Sequence, residues 1–221
     1  MNKALLALAI APILAALATP AAAQSPTQSP TPAMTDQVKA INDGWAHIAY
    51  EMNGSSHQAQ ALAQLDHQAS QLVARYPGQA EPLLWEGIVV SEEGNRANFF
   101  HQLGLANRAR DLLARAYAIN PKVANGGAAM SLGVLYYKVP GSPIGFGNKN
   151  RARQLLLQAL ALDPNGMDAN YFWGDFLADQ GDKPGARAAL EKALRAPHDP
   201  SRPAWDAGRR REVQALLAKQ R

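Results

Sequence analysis

The 221-residue chain contains no cysteine. It can form no disulfide, present no thiolate to a metal and offer no thiol nucleophile, so its stability has to come from packing. Charge of one sign is scarce as well. The formal net charge is +4, no basic stripe is interleaved with aromatics, and no nucleic-acid-binding motif is present, which excludes nucleic acid as a partner. The one basic cluster, Arg209-Arg210-Arg211, reads as the solvated side of a last helix. The five histidines (His47, His57, His67, His101 and His198) fall in no metal-binding spacing. A nucleophile elbow and a phosphate loop are missing too, and Gly145-Phe146-Gly147 is a loop device because no strand precedes it. The expectation is a protein without enzymatic activity, metal or cofactor.

Long apolar runs are missing except at the start. Lys3 precedes an apolar stretch over 4–18, followed by Thr19-Pro20 and Ala21-Ala22-Ala23. A charged start, a short apolar core and small residues at a cleavage point make a secretory signal over 1–23, cut after Ala23. The run is too short for a membrane span and holds Pro12. Without a cysteine to lipidate, the expected product is a periplasmic protein, not a lipoprotein, with no membrane span after cleavage. Residues 24–34 open with QSPTQSPTP, a polar tether unable to bury a core. The folded part is expected over 35–221.

Apolar residues make up 47% of the chain, carried by Ala and Leu rather than by Ile and Val. That balance favours helix over strand. The 15 prolines mostly fall between apolar runs, where they punctuate helices. Internal repetition is the strongest pattern. RARDLLARAYAINP at 108–121 and RARQLLLQALALDP at 151–164 agree at eight of fourteen positions, and a third copy follows at 186–197. A helix precedes each copy. With Gly87, Gly133 and Gly174 in register, Ala109, Ala152 and Ala186 align, then Leu113, Leu156 and Leu190, then Ala116, Ala159 and Ala193. Small residues at fixed places let two helices approach closely.

This pattern resembles the tetratricopeptide repeat (TPR) family. The resemblance implies an all-α fold, a right-handed superhelix of antiparallel hairpins at about 35–77, 80–121, 122–164 and 166–197, with a capping helix at 203–219. Two units carry extra residues, expected as enlarged loops between their helices at 95–102 and 139–148. The second insert, VPGSPIGFGNK, is expected to need its glycines for positive φ and for close backbone approach. Together with NYFWGDFL at 170–177, it is similar to the T component of tripartite ATP-independent periplasmic (TRAP) transporters. That likeness implies association with a periplasmic solute-binding protein, in some cases around an oligomeric pore for an apolar ligand.

Candidate binding residues are the aromatic and polar side chains near the register glycines: Trp85, Glu86, Tyr136, Tyr137, Asn170, Tyr171, Trp173 and Asp175, with Phe146 from the insert. They either pack between hairpins or line a concave groove, where aromatics would stack on a partner and Asn170 or Asp175 would hold a polar group. The leading expectation is a protein-interaction scaffold; the alternative is a binder of a small apolar ligand. A groove lined by charged and amide side chains favours peptide, and a closed aliphatic cavity favours apolar ligand.

Overall fold

A computed structural model describes residues 30–220; the expected leader and most of the tether lie outside the described residues. Nine α-helices follow one another among them: α1 Pro32–Ala46, α2 Gln58–Arg75, α3 Ala80–Arg96, α4 Phe99–Ile119, α5 Gly127–Lys138, α6 Lys149–Leu162, α7 Met167–Asp179, α8 Lys183–Leu194 and α9 Pro203–Ala218. A π-helical turn, His47–Glu51, extends α1. Helices α1 to α8 pair as four antiparallel hairpins stacked into an all-α solenoid, the architecture expected from the repeats. Helix α1 begins inside the stretch read as tether, because Thr31 accepts a hydrogen bond from the Met34 amide and Met34 is buried.

The second helix of each of the last three hairpins starts on a side-chain cap. Asn98, Asn148 and Asp182 accept from the amides of His101, Arg151 and Gly185. The glycine register has a direct steric cause. A Cβ at Gly87, Gly133 or Gly174 would come 2.7, 2.8 or 2.8 Å from Cγ of Leu113, Leu156 or Leu190. Those three leucines, and the alanines aligned with them, are fully or almost fully buried. Each hairpin is thus a close helix contact closed by one leucine over one glycine, repeated three times.

Two expectations need correction here. The extra residues at 95–102 do not form a loop. They lengthen both helices, so that α3 and α4 are joined by only Ala97 and Asn98. Packing of two long helices outweighs the weak helix preference of Gly94 and Asn95, and Asn98 caps the second helix. The insert at 139–148 is a loop, tied by Gly147 N–H to the Pro140 carbonyl (2.9 Å) and Asn148 N–H to the Tyr136 carbonyl (2.7 Å). None of its glycines has a positive φ. Gly145 and Gly147 are required because a Cβ would strike the backbone of Pro140 and Val139.

Helix α9 does more than cover the end of the array. It packs on α8 and α7 and also on α1 and the π turn, so the first and last hairpins are joined. Gly208 lies flat against the Tyr50 ring with no room for a Cβ. The Tyr50 hydroxyl donates to Glu212 (3.3 Å), and Arg202 donates to the Asn42 side-chain oxygen (3.1 Å). One apolar core runs through the junction, with Val38, Ile41 and Trp45 of α1, Leu190 of α8, and Trp205 and Val213 of α9. Burying such side chains stabilises by about 1.5–3 kcal/mol each.

The basic cluster is therefore not a solvated face. The Arg209 side chain is only 7% exposed, and Arg210 binds Asp206 and the carbonyls of Leu194 and Ala196 at the end of α8. Of the three, only Arg211 is exposed.

Candidate functional site: a groove closed by the last helix

The first helices of the hairpins and α9 surround a concave groove of about 800 Å³. Its position follows from the register. The residues two before and one after each register glycine line it: Trp85 and Ile88 on α3, Ser131 and Val134 on α5, Phe172 and Asp175 on α7. These offsets are three apart and share one helix face. The end of α1 and the π turn add Trp45, Ala49 and Tyr50, and α9 adds a face running from Gly208 to Lys219.

Aromatic rings form much of the floor. Trp45 packs on Trp85 with centroids 6.1 Å apart and edge-on to Tyr50 at 5.7 Å. Tyr171 and Phe172 meet at 4.9 Å, and the Arg209 guanidinium lies 4.7 Å from each ring. Arg209 also binds Asp168 and Glu212, both at 2.6 Å. Burial alone would weaken its charge, but these carboxylates hold its pKa above the ordinary range. Burial pushes the Tyr50 phenol well up, and the Tyr171 phenol up to about 12 against the pull of Arg209. Asp175 accepts from the Tyr137 hydroxyl (2.6 Å) and pairs with Lys138 (2.8 Å).

The candidates read from sequence are thus divided. Trp85, Tyr171 and Asp175 line the groove, and Tyr137 stands behind Asp175. The other five do not line it. Glu86 is buried and pairs with Arg108, which also grips Asp66, and burial pushes its carboxyl up. Asn170 is buried and donates to the carbonyls of Pro164 and Gly166, a turn-stabilising role. Tyr136 packs edge-on to Phe146, over which Arg110 lies. Trp173 stacks on Phe176 with Arg153 nearby. The physical reason is helical rotation: the residue before a register glycine sits about 200° round the helix from the residue after it, so Ile88 and Asp175 reach the inner wall while Glu86 and Trp173 do not. Adjacency to the glycines also fails to pick out Trp45, Tyr50, Lys138 and Arg209. Counting offsets from the glycines finds Ile88, Val134 and Phe172, but not the residues of α9.

Among the described residues no group of His, Asp or Glu could hold a metal ion, and no helix is long and apolar enough to cross a membrane.

These features define the class: an all-α solenoid of TPR-like hairpins, with its concave side walled by the terminal helix. A solved structure of a thermophilic TPR protein from Thermus thermophilus has the same fold, at a TM-score of 0.55 and 17% identity over 84% of this chain and 99% of that one. No family model and no curated protein matches the chain.

Proposed function

We propose that the protein is an exported, periplasmic binding scaffold that holds a segment of a partner protein in the groove. The composition of the lining carries this reading. Of the 27 residues around the groove, ten are charged, among them Glu92, Arg96 and Lys138. Small-molecule pockets are lined mainly by apolar side chains with few polar groups, whereas grooves for polypeptides mix apolar anchors with polar walls. A TPR-like fold supports a protein-binding rather than catalytic role. The aromatic rings of the floor favour the alternative, a bound apolar ligand of the kind the transporter resemblance implies, and the charged walls outweigh them.

The test is affinity capture from periplasmic extract with the wild type and with an Ile88→Arg, Val134→Arg double variant, followed by mass spectrometry of proteins and lipids. A protein held by the wild type and lost from the variant, whose helicity is unchanged, is the expected result. A co-purifying solute-binding protein would support the transporter association. Recovery of lipid alone would favour the apolar-ligand reading. N-terminal sequencing of fractionated protein, expected to begin at Gln24, checks export.

A further inference from the structure

The charges around the groove do not cancel, and most of the surplus lies on one helix. All four carboxylates of the lining are engaged: Glu92 by Arg96 (2.7 Å), Asp175 by Lys138 (2.8 Å), and Asp168 and Glu212 by Arg209 (2.6 Å each). Arg202, Arg211 and Lys219 also line the groove, and among the described residues none of them has a carboxylate within ion-pairing distance. Arg202 lies 4.0 Å over the Trp205 ring at the start of α9. Arg211 and Lys219 are exposed on the groove face of α9, two turns apart. The unmatched buried polar atoms of this lining are also donors: the Trp45 indole N–H and the Arg202 Nε–H have no acceptor. The unpaired cations of the lining therefore call for an anion. Among the charged and polar side chains that α3 and α5 give the lining, Ile88, Met130 and Val134 are half-buried apolar positions.

Resting on the scaffold reading above, we propose that the partner segment is acidic and amphipathic. Its carboxylates meet Arg211 and Lys219, and its apolar side chains face Ile88, Met130 and Val134. Eight residues from Arg211 to the C-cap Lys219 separate their Cα atoms by about 12 Å. Two carboxylates about four residues apart on an extended peptide span the same distance. Paired charges at an exposed rim supply selectivity and association rate, and the apolar positions supply the area that holds the segment.

The test uses short synthetic peptides with leucines on one face and two glutamates about four residues apart, together with the same peptides carrying glutamine instead. Binding is read from the fluorescence of the full mature chain, in which Trp45 and Trp85 line the groove. The glutamate peptide is expected to bind, to weaken with added salt, and to lose about tenfold in affinity against an Arg211→Gln, Lys219→Gln double variant. Both positions are exposed, so that variant keeps its fold. Equal binding of the glutamine peptide, or unchanged affinity in the double variant, overturns the acidic-segment inference and leaves the groove reading standing. Binding of neither peptide overturns both.

Discussion

The hairpin array and its closure by α9 are held together in different ways. From α3 to α8 the recurring contact is local and apolar: a leucine packs over a glycine about one turn from buried alanines, three times over. The closure is long-range and mixed. Tyr50 meets Gly208 and Glu212, Arg202 meets Asn42, and Arg209 sits buried between Asp168, Glu212 and two aromatic rings. Repeated apolar contacts tolerate loss of any one neighbour, because each hairpin touches only the next. A buried arginine held by two carboxylates is more brittle, because removing either carboxylate leaves the guanidinium buried with one charge partner fewer.

Arg209→Met should cost the most, about 3 kcal/mol, through the loss of two charge-assisted hydrogen bonds. Hydrogen exchange should show α9 and the π turn losing protection before α3 to α6 do. Uniform loss across all helices would mean that the closure and the array are one cooperative unit. Gly174→Leu attacks the array instead and should cost about 2–3 kcal/mol in chemical denaturation, because the added side chain meets Leu190. Gly104 is the control: no atom lies within 4 Å of an added Cβ, and Gly104→Ala should stabilise α4 by up to about 1 kcal/mol. A tolerated Gly174→Leu would remove the steric basis of the register.

A further effect tests the acid sensitivity of the closure. Burial alone would raise the Asp206 carboxyl, but hydrogen bonds from Arg210 and His198 hold it below its ordinary 3.8. A depressed folded pKa adds stability that is present above the unfolded value and lost as pH falls through the folded one. Wild-type stability should therefore fall more steeply than that of Asp206→Asn as acid is added below about pH 4, with a difference near 1–2 kcal/mol at neutral pH. Parallel acid profiles of the two proteins would show that Asp206 plays no such part.

Much of this fold is legible in the amino-acid sequence because its cause is local. A glycine aligned with a leucine one helix later is a steric requirement that repeats, and repetition is visible in a single chain. The inner wall follows from the same register once side chains are counted round the helix, which is how Ile88, Val134 and Phe172 pair with Trp85 and Asp175. Glu86, Asn170 and Trp173 share adjacency to the register positions, and burial or outward packing keeps them from the groove. The helix lengthening at 95–102 is hidden because Gly94, Asn95 and the Ala97-Asn98 link look like a loop, and only the packing of α3 on α4 carries the helices up to that link.

What the sequence determined by itself is the helical array: the period, the glycine–leucine contacts and the capped starts of α4, α6 and α8 all arise within a few turns of chain. Only the tertiary structure decided that the array closes. Tyr50 and Glu212 are joined across a separation of 162 residues, and a single contact of that kind leaves no periodic trace. The same closure buries Arg209 and turns Arg211 and Lys219 toward the groove. The groove's charge, and with it the partner it fits, is thus set by where the last helix packs.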